Sequence, residues 1–306
     1  MKNMYSISNA KNLLVAVMAL ALIQAAQAQI FISQYGNGTI AQYNLNGTPL
    51  GTGTFTSGLN FPLALATDGG NLFVSDATGG INEFTLSGTH VGTGAIVTGL
   101  SDPLGLAITG TTMFVSNVTG TIGVYTTSGA TLNALLITGL GQPAGLATSG
   151  SDLFVADGQA NNIYEYLFNG TQVGTGPLIS GLNGPTGLTI IGSNIFVTNY
   201  SSGTNGAGFI SEYTLSGTQV GTGPIISGLT GPTDIATDGL NLFVTFKNGG
   251  AMEEFTTGGT LLDTISGLST PFGILVVPEP STWALLALGM GVLGYAQFRR
   301  SRCSSK

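Results

Sequence analysis

An apolar triplet centred on phenylalanine recurs six times along the chain. It reads Ile30-Phe31-Ile32, Leu72-Phe73-Val74, Met113-Phe114-Val115, Leu153-Phe154-Val155, Ile195-Phe196-Val197 and Leu242-Phe243-Val244. The phenylalanines lie 42, 41, 40, 42 and 47 residues apart. A second motif alternates with the first, in which Gly-Leu leads to Pro62, Pro103, Pro143, Pro185, Pro232 and Pro271. A fixed period of about 40 residues is the mark of a repeat architecture.

Each unit holds four short strand candidates separated by turn residues. In the unit opening at Pro103 they are Gly105 to Thr109, Met113 to Ser116, Ile122 to Thr126 and Leu135 to Thr138. Asp68-Gly69, Asp238-Gly239, Asn46-Gly47 and Asn169-Gly170 occupy the turns of other units. Asn-Gly and Asp-Gly supply the positive φ that tight hairpins require. No helical period appears between residues 29 and 277. Four antiparallel strands per ~40 residues make one blade of a β-propeller.

The order of motifs predicts how the ring closes. Residue 29 onward starts on a second strand, and residues 271–277 form a first strand. The two ends therefore share a blade, built from about 271–277 plus 29–60, and closure removes free strand edges. The expected fold is all-β, a six-bladed propeller with four-stranded blades and its closing inner strand from the C-terminal end. One phenylalanine per blade is expected to fill the space between blades. Ser201 to Gly208, the extra residues of the fifth unit, read as a loop.

The unit resembles the NHL repeat in Pro143-Ala144-Gly145-Leu146-Ala147, Leu153-Phe154-Val155-Ala156-Asp157 and Ile163-Tyr164-Glu165-Tyr166. The resemblance implies the propeller fold and leaves function open, because such rings bind proteins, glycans, RNA or small molecules.

The ends read as addresses. Lys2 and Lys11 precede or enter an apolar run from Leu13 to Ile23, and Ala26-Gln27-Ala28 is a small-x-small cleavage site. Residues 1–28 thus read as a secretory signal, too short in its apolar run to span a membrane. At the other end, residues 278–306 combine Pro278-Glu279-Pro280, an apolar run over 282–298 and the cations Arg299, Arg300, Arg302 and Lys306. The run is long enough for a short membrane helix, and the cations are expected to stay cytoplasmic as a stop-transfer signal. This tripartite pattern resembles the PEP-CTERM sorting signal. The resemblance implies an exosortase-type processing enzyme as partner, with Pro278, Glu279 and Pro280 as its recognition element. It also implies passage through the inner membrane and a final place in the envelope or outside the cell, in bacteria that make exopolysaccharide.

Charge then narrows the function classes. Charged residues are 7% of the chain against 42% hydrophobic, and Gly numbers 49. Between residues 29 and 277 there are 13 acids and one base, Lys247, a formal charge of −12. Phosphate-rich partners need basic surfaces, so nucleic acid is excluded as a ligand. The one Cys, Cys303, lies in the tail, so the exported body has no disulfide.

Candidate chemistry is sparse. Triad chemistry needs a nucleophile and an oriented base. The one histidine, His90, sits beside the Ser87-Gly88 turn and reads as a solvated loop residue. Asp76, Asn117, Asp157 and Asn199 share one position after the second strand, with Gln34 and Phe246 in the remaining units. Gluconolactonase-like propellers hold Ca²⁺ with such groups, which makes Asp76, Asp157 and Asp234 weak metal candidates. The competing reading is that the row holds adjacent turns through side-chain to backbone hydrogen bonds. Glu83, Glu165, Glu212 and Glu254 form a further row, expected to be a solvated blade face. Asp234 replaces Ala or Gly on a first strand and is expected near the channel. Gly-x-Gly at 92–94, 174–176 and 221–223 has no following helix and reads as blade-edge turns. The expected function is a non-enzymatic binding or scaffold module with no cofactor, touching exopolysaccharide or a surface protein. The alternatives are a Ca²⁺-dependent hydrolase or lactonase and a self-assembling surface component.

Overall fold

In the computed structural model, which describes residues 28–200 and 207–278, six small antiparallel sheets stand around one axis. Blade 1 runs Pro271–Val277, Gln29–Gln34, Thr39–Asn44 and Pro49–Thr56 from the axis outward. Blade 2 is Pro62–Thr67, Asn71–Asp76 and Gly80–Thr85. Blade 3 is Pro103–Thr109, Thr112–Asn117, Thr121–Thr126 and Thr131–Ile137. Blade 4 is Pro143–Ser149, Asp152–Asp157 and Asn162–Leu167. Blade 5 is Pro185–Ile191, Asn194–Asn199, Ala207–Thr214 and Ile226–Thr230. Blade 6 is Pro232–Thr237, Asn241–Phe246, Ala251–Thr256 and Leu261–Ser266.

The ring closes as the motif order predicts, with the Pro271–Val277 strand hydrogen-bonded inside Gln29–Gln34. In blades 2 and 4 the fourth segment runs alongside but keeps only single bridges, Ile81 to Val97 and Phe84 to His90, and Ile163 to Ile179 and Tyr166 to Gln172. Gly92 and Gly174 take φ of +77° and +78° there, and the matching Gly51 and Gly221 of blades 1 and 5, whose outer strands still pair, take +60° and +77°. The predicted Ser201–Gly208 loop is shorter than expected at its end, because Ala207 and Gly208 belong to the third strand of blade 5. The remaining residues of that segment, the signal residues 1–27, and Glu279 through the C-terminal cations lie outside the described residues. Among the described residues no helix is long and apolar enough to cross a membrane.

The core is six clusters, one at each joint between blades. Phe154 of blade 4 packs with Leu188, Ile195 and Val197 of blade 5, and Phe243 of blade 6 packs with Ile30 and Ile32 of blade 1. Phe31, Phe73, Phe114 and Phe196 do the same at the other joints. All six are at most 2% exposed. Without disulfides this burial holds the ring, since each large aromatic removes 150–250 Å² from water.

A second device, in hydroxyls, lies behind the inner strands. The inner strands of blades 2 to 6 each have a register shift after the opening Pro, which frees one backbone N–H. Ser75 and Thr198 fill the gap, accepting from Ala64 N (2.9 Å) and Gly187 N (2.8 Å), and in blade 1 Ser33 accepts from Gly273 N (2.7 Å). The same row donates to the next blade: Ser33 to Leu63 O, Ser116 to Ala144 O (2.8 Å) and Thr245 to Phe272 O (2.6 Å). Ser33 makes both bonds, joining Gly273 N in its own blade to a carbonyl in the neighbour. Blade 4 has Ala156 at this position.

Candidate functional site

The inner strands enclose a channel of about 480 Å³, walled mainly by Ala, Leu, Gly and Thr from all six blades. Small residues are required there. A Cβ on Gly105 would lie 2.0 Å from Ala144 O, and one on Gly187 2.5 Å from an Asp234 carboxylate oxygen.

Asp234 lies on this wall, as its first-strand position predicts. Both carboxylate oxygens are engaged. Oδ1 accepts from Ile235 N (2.9 Å), and Oδ2 accepts from Ile274 N (3.1 Å) on blade 1. The side chain occupies the hollow left by Gly187 and ties blade 6 to the closing strand. Burial pushes its pKa up to about 7, against the opposing pull of the two N–H donors.

The Asp/Asn row takes the turn-holding geometry. Asp157 accepts from Gly141 N (2.7 Å), Gln142 N (2.9 Å) and Ala160 N (3.1 Å). Asn117 accepts from Ser101 N, Asn199 from Asn183 N and Gln34 from Ser269 N. Each therefore fastens the loop that leads into its own blade's inner strand. Asp76 instead caps its own turn, accepting from Thr78 N (2.9 Å) and Asn82 Nδ2 (2.8 Å). Asp76, Asp157 and Asp234 stand on separate blades, and no group of three metal-ligating side chains converges among the described residues.

Two expectations need correction. The glutamate row is not a solvated face. Asn71, Asn194 and Asn241 donate to Glu83, Glu212 and Glu254 at 2.6, 2.6 and 2.7 Å, and Glu83 is 9% exposed. The pairing spans two neighbouring strands, which sequence order hides. Asp152 takes the asparagine's place in blade 4, and its charge adds to burial in raising the Glu165 pKa. His90 is on the rim but is half-buried, its ring edge-on to Phe84 at 4.8 Å.

The face formed by the loops into the inner strands and by the second-to-third strand turns carries a cluster the sequence did not announce. Tyr35 and Phe61 rings lie 4.9 Å apart, and the Lys247 ammonium stands 5.4 Å from the centre of Tyr35 and 5.9 Å from that of Phe272. Asn248 donates to the Tyr200 hydroxyl at 3.3 Å and extends the arc over blade 5. Phe272 also lines the channel, so the arc overhangs its mouth. Phe61 is 50% exposed and has φ of +53°. The residue before the opening Pro is left-handed in five of the six blades, at Phe61, Asp102, Gly184, Gly231 and Thr270, so this backbone state belongs to the repeated turn and what sets Phe61 apart is its exposure. A cation over ring faces is attracted by their electron-rich centres. On the next blade, Asp102 is left-handed too (φ +51°); its Oδ1 is buried without a hydrogen-bond partner, and burial raises its pKa.

These features define a six-bladed propeller with one aromatic and cationic sector at its axial mouth. Residues 276–301 match the PEP-CTERM protein-sorting motif. No curated protein sequence matches the chain. Among solved structures, a chain in the nidogen/laminin complex is 21% identical with a TM-score of 0.67, over 82% of this chain and 98% of that one. A functionally unknown protein from Desulfotomaculum acetoxidans is 16% identical with a TM-score of 0.58, over 83% and 86%. A computationally designed protein is 12% identical with a TM-score of 0.50, over 81% and 90%. At these identities the likeness establishes the fold alone. The sorting motif marks the chain for export to the cell envelope or surface.

Proposed function

We propose that this chain is an exported, non-enzymatic binding module whose ligand is a glycan of the extracellular matrix, docked over the channel mouth. The observation that carries the reading is the exposed Phe61 ring beside Tyr35, Lys247 and Phe272. A sugar ring offers an apolar C–H face that packs on an aromatic plane, while its hydroxyls pair with Lys247 and Asn248. The rest of the acidic surface repels polyanions, which favours a weakly charged polysaccharide. The reading needs no cofactor. The sorting motif, with the exosortase-type processing it implies, supports the reading through export to the envelope or surface, where a matrix polymer would be met.

Affinity electrophoresis tests this. The full chain should be retarded by matrix polysaccharide embedded in the gel, and the double substitution Phe61→Ala, Tyr35→Ala should abolish at least nine-tenths of the retardation. Equal retardation of both proteins would overturn the site, and no retardation in any matrix fraction would overturn the ligand class.

A further inference from the structure

The outer rims of the blades are of two kinds. Blades 1, 2, 4 and 5 carry Gly-Thr-Gly at 51–53, 92–94, 174–176 and 221–223, and the first glycine of each is left-handed, with φ from +60° to +78°. A kink of this type blunts an edge that would otherwise invite another chain. Blades 3 and 6 lack the motif. Their outer strands, Thr131–Ile137 and Leu261–Ser266, show Leu132, Leu135, Leu261 and Leu262 at 59, 62, 52 and 50% exposure.

Charge separates these two. The blade 6 rim carries Asp263, next to Glu253 and Glu254 on the adjoining strand. Residues 103–151, which include all of blade 3, contain no Asp, Glu, Lys or Arg. Two copies of a body with a formal charge of −12 repel wherever acid faces acid. Of the two rims without the kink, blade 3 is the one where copies meet without opposed carboxylates; blade 1 is also free of charged residues, but its outer strand carries the kink.

We propose that the outer edge of blade 3 is a self-association face, seating the same edge of a second copy of this chain across a two-fold axis. A self-complementary patch is what a two-fold dimer requires. The contact is through side chains more than through a long backbone ladder. The strand is bulged against its neighbour, pairing Thr131 with Tyr125, Asn133 with Val124 and Ile137 with Ile122. The Leu135 N–H is already given to Asn133 Oδ1 at 3.1 Å. The bulge leaves Leu132 and Leu135 exposed on an uncharged blade, and a second copy buries both from each side. Removing apolar surface from water drives the association, and salt strengthens it by screening the acidic bodies.

Thiol cross-linking in intact envelopes tests the face with the full chain. Cys303→Ser removes the one native thiol, and Leu135→Cys then places one on the proposed axis. Mild oxidation should give a covalent species of twice the chain mass on a non-reducing gel. Leu262→Cys, equally exposed on the charged rim, should give less than a tenth as much. Adding Leu132→Asp to Leu135→Cys should lower the yield at least fivefold, while adding Leu261→Asp should leave it unchanged. The proposal falls if neither Leu132→Cys nor Leu135→Cys yields the dimer, or if Leu262→Cys yields as much. It falls equally if the cross-linked mass shows a different protein as the partner.

Discussion

At the axis the six blades are near copies of one another; at the rim they diverge. Each inner strand lies against two others, so a change there is felt on both sides. Five of the six second strands keep the stitching hydroxyl, all six keep the buried Phe, and four of six inner strands keep Gly at the point of closest approach. An outer strand has one protein neighbour and faces water on its other edge. There the chain is free to carry a Gly-Thr-Gly kink, an acidic edge or an uncharged apolar one. Repetition therefore marks where packing sets the sequence, and divergence marks where a partner can set it.

The largest test of that contrast is a truncation at each place. Phe154→Ala at the axis-side joint should cost about 3–5 kcal/mol, the usual loss for a buried aromatic. Leu262→Ala on the rim, half exposed, should stay within about 0.5 kcal/mol. Denaturant midpoints with unchanged slopes check both. Equal losses would mean the rim is as tightly packed as the joints, and the contrast would be lost.

What the sequence revealed follows the same division. The Phe and Gly-Leu rows were legible because packing repeats them at every joint, and the ring closure followed from their order. The Tyr35, Phe61, Lys247 and Phe272 cluster was not, because its members lie far apart in the chain and meet only when the ring closes. The Ser33, Ser75, Ser116, Thr198 and Thr245 row had a signal, a Ser or Thr at the end of the second strand, one residue before its last position, in five of the six units. It was obscured by the abundance of Ser and Thr elsewhere. Asp234 was placed at the channel by its strand position. Its bond to Ile274 and the matching hollow at Gly187 are three-dimensional facts that spacing does not carry.

Asp234 sharpens the comparison, because it is the one acid on a wall of small residues. Its folded pKa of about 7 stands above the ordinary 3.8. The folded state therefore holds a proton that the unfolded state gives up between these values. The stability linked to that proton is present below about pH 4 and is lost as pH rises through 7. Asp234→Asn removes the dependence. Relative to wild type, the variant should gain stability from pH 4.5 to pH 8, by at most about 4 kcal/mol. A constant offset from the altered bond to Ile235 leaves this trend intact. Melting curves of both proteins across that range check it, and a difference that is flat with pH would show that Asp234 is solvated like a rim carboxylate.

The finest test concerns the one gap in the axial pattern. Ala156 is fully buried at the position where the other five blades have Ser or Thr. The partners a hydroxyl would need are nonetheless in place. Blade 4 has the same register shift after Pro143, which frees the Gly145 N–H as the bulges of blades 2 and 5 free those of Ala64 and Gly187. The acceptor across the joint is Thr186 O, 2.7 Å from the point a Gly145 Cβ would occupy. It corresponds to Leu63 O, Ala144 O and Phe272 O at the other joints. Ala156→Ser adds one oxygen between these groups. If the stitch is general, the variant should gain about 0.5–1.5 kcal/mol, the net worth of an intramolecular hydrogen bond. If Ala156 is there because the blade 4–5 joint packs too closely on Phe154 and Ile163, the hydroxyl is buried without partners and stability falls by about 1–3 kcal/mol. The sign of one denaturant midpoint shift thus decides whether the axis repeats one hydrogen-bonded joint six times or builds one of its six joints from apolar contact alone.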